Sequence, residues 1–402
     1  MGRVTDKLPP TVWVLISAAF VIAMGYGLIA PVLPLFAQDM AADVFPDAEI
    51  TATTVVVSAF AVFRLLWATP AGSLVSRLGE KNIYITGVLV VGASTALTAF
   101  AENYWQLLVF RSLGGVGSVM FTVAAMGLLI KISPRHMRGR ISALYGAMFL
   151  IGNMVGPVLG GVLAGFGYRV PFLFYAFSLL VAAVVMAVWM PSFSPGKGGK
   201  HSAIAPMGLR EAFRDRAYVA NLPGLLAHGW TNFGVRVSLV PLFVAFAVSR
   251  EAWVAGAAMA VFAVGNALAL PFSSRFADRG GRKPMIVLGA IVAGVFTAVL
   301  GFATGYVAVF LLCLLAGIGT GMFNPAAQAV VADVVGHERP AGKVIASTQM
   351  ITDIGSIVGP MAMGLVVDLT NYGIAFLISG LILIFGAVAW IGTPDTIDRT
   401  RD

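Results

Sequence analysis

Four charged residues stand inside long apolar stretches of this 402-residue chain: Arg64, Arg111, Arg236 and Asp353. A charge at the middle of a lipid-embedded helix costs roughly 2.5–3.5 kcal/mol on insertion scales, so each should face a cavity or a partner. Asp353 is the carboxylate set deepest in an apolar run. Burial and a neighbouring cation push a carboxyl's proton affinity in opposite directions, which makes Asp353 a candidate for taking up and releasing a proton. The alternative is a permanent salt bridge with Arg236 or another cation in a span. His228, Asn232 and Arg236 are spaced by four. At about 100° per helical residue they form one polar stripe that drifts by about 80° over two turns, and this stripe is expected to line a cavity. His228 is a second candidate proton carrier, or else a hydrogen-bonding group to a neighbouring helix. Arg64, followed by Trp67 and Pro70, is expected to face the cavity or to pair across the molecule. Tyr26, Asn153, Asn266, Asn324 and Gln349 are polar groups in apolar runs, suited to holding a substrate or to bonding between helices.

Other chemistry is poorly served. Cys313 is the single cysteine, and the histidines at 136, 201, 228 and 337 do not cluster in sequence, so neither a metal site nor a cofactor is expected. Nucleophile–base pairs are lacking in the spans, so no catalytic residue is assigned. No Gly-x4-Gly-Lys-[Ser/Thr] phosphate loop occurs, which points to an ion gradient rather than ATP as the energy source.

The elements that position these residues follow from composition. The chain is 59% hydrophobic and 11% charged, with a mean hydropathy of +0.91. A soluble domain is nearer half apolar and a quarter charged. The sequence therefore predicts an all-α polytopic membrane protein, since lipid offers no partner to backbone groups outside a helix or closed barrel. Apolar stretches fall near residues 11–36, 51–75, 82–101, 104–131, 141–166, 170–191, 219–246, 252–275, 284–303, 305–332, 344–368 and 371–393, which makes twelve spans. The first is read as span 1 rather than a cleaved leader, being too long and lacking a small-residue cleavage site. The polar segment 192–217 reads as a linker between a six-helix half, 1–191, and a second, 218–402, with a surface helix in its later part.

Charge sets the expected orientation. Of the 26 Lys and Arg, all but Arg169 and Arg250 and the three span cations fall on the side bearing both termini and the linker. The positive-inside rule places that side in the cytoplasm. Asp39, Asp43, Asp47 and Glu49 lie in the first external loop.

An internal repeat supports two like halves. Gly152-Asn153-Met154-Val155-Gly156-Pro157 returns as Gly355-Ser356-Ile357-Val358-Gly359-Pro360, and Gly160 extends the first copy. Ser76–Lys81 matches Asp278–Lys283, and Arg111–Gly117 matches Cys313–Gly319, all at offsets of 202 or 203. Glycines spaced by four let helix backbones touch, and the prolines are expected to bend their helices.

These features resemble the major facilitator superfamily over essentially the whole chain. Gly72, Arg77, Gly79 and Lys81 are similar to the family's loop 2–3 motif, with Ser76 where an Asp is usual. Asp278, Arg279, Gly281, Arg282 and Lys283 form the loop 8–9 copy. The resemblance implies that both loops act as gating latches, the first weakened by Ser76. Arg111 with Gly115 and Gly117 resembles the helix-4 motif, which implies a part in proton coupling; a structural role, bonded to backbone carbonyls at a helix bend, is the alternative. The run Gly152–Gly161, with Gly25-Tyr26-Gly27 and Pro31–Pro34, resembles the twelve-helix drug:proton antiporters. The implied activity is export of a small amphiphilic molecule in exchange for protons, by alternating access in a monomer within the inner membrane. Proton-coupled nutrient uptake is the alternative. The excess of span cations over acids favours an anionic, zwitterionic or neutral substrate.

Overall fold

The computed structural model of the chain describes residues 8–134, 137–191, 207–335 and 342–396. Every regular element among them is helical. Eleven helical segments are long and apolar enough to cross a membrane, and a further apolar helix, Tyr372–Val388, is 17 residues long. The fold is therefore the expected all-α one.

Span 1 is two helices, α1 (Pro10–Ile29) and α2 (Leu33–Ala42). Pro31 and Pro34 lack the N–H groups needed to continue the ladder, and Pro34 falls in the first turn of α2, where no such bond is missed. Span 2 is likewise divided at Trp67 into α3 (Glu49–Leu66) and α4 (Ala68–Leu78). Then follow α5 (Glu80–Ala99), α6 (Tyr104–Ile132), α7 (Arg138–Ala164) and α8 (Arg169–Trp189). Of the expected linker, residues 192–206 lie outside the described residues. Its later part holds only a single turn, α9 (Leu209–Ala212). Span 7 is composite: α10 (Arg216–His228), a π-helical segment Gly229–Val235, and α11 (Arg236–Ala247). It is followed by α12 (Ala252–Gly280), α13 (Arg282–Leu300), α14 (Tyr306–Val335), α15 (Gly342–Leu369) and α16 (Tyr372–Val388).

Packing divides the chain into two compact units: Met1–Ile29 with Val62–Lys197, and Ala30–Ala61 with Gly198–Asp402. Residues 30–61, part of the first half by sequence, pack with the second unit.

Inside each unit the repeated glycines serve the same contact. A Cβ added at Gly156 would stand 2.3 Å from the Met24 carbonyl oxygen and 2.8 Å from the Leu28 nitrogen; one at Gly152 would meet Phe20 O and Met24 N, and one at Gly160 the Leu28 carbonyl. In the other unit, Gly355 lies on Leu226 O and Trp230 N, and Gly359 on Trp230 O. Gly152, Gly156 and Gly355 each thus seat against the carbonyl of one residue and the amide one turn on. The prolines complete the match, since Gly27 faces the Pro157 ring and Gly234 the Pro360 ring. A third pair is nearly superposable. Gly87 meets Phe121 N at 2.6 Å and Gly117 O at 2.8 Å, and Gly289 meets Phe323 N and Gly319 O at the same distances.

The loop motifs are also built alike. Gly79 (φ 83°) and Gly281 (φ 109°) occupy the left-handed region that side chains disfavour, which lets α4 turn into α5 and α12 into α13. The next residue then pairs across the unit: Glu80 with Lys131 at 2.7 Å, and Arg282 with Asp333 at 3.2 Å. Both pairs are related by the repeat offset of 202, but their charges are exchanged. Only the attraction of opposite signs is required, so the polarity is free to invert. Glu80→Lys or Lys131→Glu alone should cost about 1 kcal/mol. The double exchange, which copies the other unit's polarity, should recover it. Thermal unfolding in detergent checks this, and single variants as stable as the parent would discount the pair.

Candidate functional site

In the first unit the chemistry gathers around Arg111. The side chain is 7% exposed and lies among the Tyr26 and Tyr175 phenols. Two glycines of α1 make this arrangement possible. Any Cβ at Gly25 would overlap the Tyr175 ring, whose hydroxyl donates to the Ile22 carbonyl at 3.2 Å, and Gly27 takes the Pro157 ring. With both neighbours consumed by packing, Tyr26 stays 36% exposed beside the guanidinium. Asn153, half-buried on α7, donates to its own helix at Phe149 O, 3.1 Å away.

The second unit holds the stripe on span 7. His228, Asn232 and Arg236 are 4%, 8% and 7% exposed. Asn232 Nδ2 is 3.0 Å from His228 Nδ1, and the Thr320 hydroxyl of α14 donates to Asn232 Oδ1 at 3.2 Å. The His228 ring stacks on Phe323, with centroids 5.3 Å apart. His228 and Asn232 thus form a buried network with Thr320 and Phe323 of α14. The expected regular 100° progression does not apply here, because the residues from Gly229 to Val235 are π-helical. That wide turn coincides with two places where α15 presses in: Gly229 on the Thr352 carbonyl and Gly234 on Pro360. Single π turns of this kind concentrate at functional sites.

Arg236 lies over the Phe262 ring, 3.0 Å from its centroid, and its Nη1 is buried without a hydrogen-bond partner. Among the described residues it has no carboxylate within ion-pair reach, so the Arg236–Asp353 bridge, the alternative to a proton-exchanging Asp353, is not formed. Asp353, half-buried on α15, accepts a hydrogen bond from Gln349 Nε2 one turn earlier at 2.8 Å. Gln349 is itself exposed. The structure therefore brings His228, Asn232 and Arg236 onto one helix and Gln349 beside Asp353. Arg64, half-exposed, lies in the last turn of α3 just before the break at Trp67. Asn266 and Asn324 are half-buried on α12 and α14, and Gly317 and Gly321 of α14 touch the Asn266 backbone.

Of the latch residues, Arg77 and Arg279 are exposed, and Lys81 donates from Nζ to Ala187 O at 2.9 Å. The side chain of Asp278 lies outside the described residues. Two carboxylates not picked out from the sequence hold the loop 8–9 copy. Asp395 accepts from the Arg282 and Lys283 N–H groups at 3.0 and 3.1 Å, capping α13, and Asp333 accepts from Arg282 Nε and from Thr396 Oγ1 at 2.7 Å. Applying the offset of 202 to Lys131 would have found Asp333. Asp368, the third such residue, caps α3 from α15 and left no local signal. No group of three or more His, Cys, Asp or Glu suited to a metal occurs among the described residues.

Duplicated glycine-packed helical units, spans of membrane length and buried cations beside polar networks define a polytopic membrane transporter. The sequence profile of the Major Facilitator Superfamily matches residues 15–253 and 224–401, and the chain belongs to that family. It is 26% identical over 391 residues to multidrug resistance protein 2 of Bacillus subtilis, covering 93% of this chain and 92% of that one. It is 25% identical over 364 residues to the quinolone resistance protein NorA of Staphylococcus aureus, covering 89% and 90%. Among solved structures it is similar to a bacterial homolog of the human lysosomal transporter Spinster in an inward-facing and occupied conformation. There the TM-score is 0.78 at 16% identity, over 96% of this chain and 97% of that one, which shows a shared fold.

Proposed function

We propose that this protein exports a small amphiphilic molecule, a drug or metabolite, in exchange for protons by alternating access. The observation that carries the reading is the Gly152–Gly156–Pro157–Gly160 ladder of α7 locked against α1, in the segment that resembles the antiporter motif. The full-length likeness to proteins named for multidrug and quinolone resistance supports it. Asp353 is the carboxylate that exchanges the proton, with Arg111 and His228 as groups that tune or relay it. Tyr26, Arg64, Asn153, Asn232, Arg236, Asn266, Asn324 and Gln349 supply polar contacts to substrate. The excess of Lys and Arg on one side supports a cytoplasmic position for both termini, and the protein acts as a monomer in the inner membrane.

Inside-out vesicles test this directly. An exporter accumulates substrate when the vesicle interior is acid, whereas a symporter for uptake does not. Matched anionic and cationic dyes give a second readout. With Arg111 and Arg236 buried, the anionic or zwitterionic dye is expected to accumulate more, and a clear preference for the cation would overturn the charge argument.

A further inference from the structure

Span 2 is docked on span 11 along one seam. Asp368, in the last turn of α15, accepts three hydrogen bonds from the start of α3. These come from Ile50 N–H at 3.1 Å, Thr51 N–H at 2.8 Å and the Thr51 hydroxyl at 2.6 Å. One turn back along α15, Gly364 lies against Thr51 and Thr54, where a Cβ would stand 2.4 Å from Thr54 Oγ1. Two turns further, the Ser58 hydroxyl donates to Ile357 O at 3.0 Å. Thr51, Thr54 and Ser58 share one face of α3, and Thr54 and Ser58 are fully buried. This seam ties residues 30–61 into the second unit.

Asp368 is the single ionisable member of the seam. Its carboxylate faces backbone N–H groups at a helix N-terminus, so its charge is stabilised by charge-assisted bonds and by the helix dipole. The groups around it are Glu49, the first residue of α3, and the Tyr372 phenol at the start of α16; Glu49 and Asp368 are both electrostatic neighbours of Tyr372. Beyond them, Glu49, Asp43 and Arg250 surround Asp39 of α2. The surroundings are thus mostly acidic, with one cation.

We propose that Asp368 is a proton-operated latch. Ionised, it holds the external end of span 2 onto span 11. A proton taken from the outer aqueous phase binds Oδ2, which becomes an O–H donor and gives up the two Thr51 bonds, while Oδ1 still accepts from Ile50 N–H. The charge that met the helix dipole is lost at the same time. The seam's remaining contacts are the now uncharged Ile50 bond, the Ser58 hydroxyl bond and close packing, and the outer end opens. Proton arrival outside thereby couples to opening on the same side, ahead of exchange at Asp353. This rests on the orientation and proton-antiport reading above, but the latch can be measured without a substrate.

The test uses spin labels at Val44→Cys and Leu365→Cys in a Cys313→Ala background, with distances read by double electron–electron resonance. In the parent, a longer-distance population is expected to grow as the pH falls from about 7 to about 3, a range spanning most aspartate titrations in proteins. Asp368→Asn should show that population at both ends of the range, and Asp368→Glu should keep the pH response. Thr51→Val removes the 2.6 Å bond but leaves the charge, so opening should move to higher pH. A parent whose distances ignore pH, or an Asp368→Asn protein that follows pH as the parent does, overturns the latch. Failure of vesicle accumulation with the distance response intact counts against the export reading alone.

Discussion

Asp353→Asn is expected to abolish gradient-driven accumulation while leaving passive equilibration of substrate intact. Asparagine matches aspartate in size and keeps an Oδ1 that can accept from Gln349 Nε2, now 2.8 Å away, so the fold and helix packing should survive. It cannot bind and release a proton at neutral pH. With one proton exchanged per substrate and the membrane potential clamped, a pH difference of one unit supports about tenfold accumulation, or about 1.4 kcal/mol. The variant should lose that factor entirely and bring substrate only to equal concentrations on both sides. Vesicle uptake with and without a protonophore measures this. Accumulation by the variant that the protonophore still collapses would move coupling to another group.

Gly156→Leu is expected to leave little folded protein. The nearest atoms to a Cβ at this position are all backbone, at 2.3–2.8 Å, and belong to Met24, Gly27 and Leu28. Backbone within a helix cannot swing aside as a side chain can, so α1 and α7 must separate. Overpacking costs about 1–3 kcal/mol even where side chains can adjust, and here they cannot. Gly146 on the same helix is the control, since it has open space around it and an exposed surface. Gly146→Leu should give the parent's yield and a single peak in fluorescence-detected size exclusion, where Gly156→Leu should give chiefly aggregate. Equal profiles would mean that α1 and α7 do not touch as described.

Much of the scaffold could be read along the chain. Span limits agree with the helices to within a few residues for α5, α6, α8 and α13, because each is an unbroken apolar run closed by polar residues. The Gly-Pro repeat marked the helix faces that meet, since a missing side chain at every fourth position has few other uses in lipid. Interruptions were harder. The breaks after Ile29 and at Trp67 and the π-helical turn at Gly229–Val235 lie inside apolar stretches, where hydropathy does not vary and so reports nothing. The span-7 stripe shows the same limit. Its spacing placed three polar groups on one helix, but only the approach of α14 joined two of them, His228 and Asn232, to Thr320 and Phe323.

Composition and spacing by themselves determined that this chain crosses the membrane as helices, that its halves are duplicates, and which glycines let helices meet. Partition into lipid and backbone contact depend on local residue type, so they are written in sequence order. Which charges find partners was decided by tertiary structure alone. Asp368 reaches Thr51 across 317 positions, Arg282 finds Asp333, and Arg236 rests on the Phe262 ring instead of a carboxylate. A charge interacts with whatever folding brings within a few ångströms, and no local pattern encodes that neighbour.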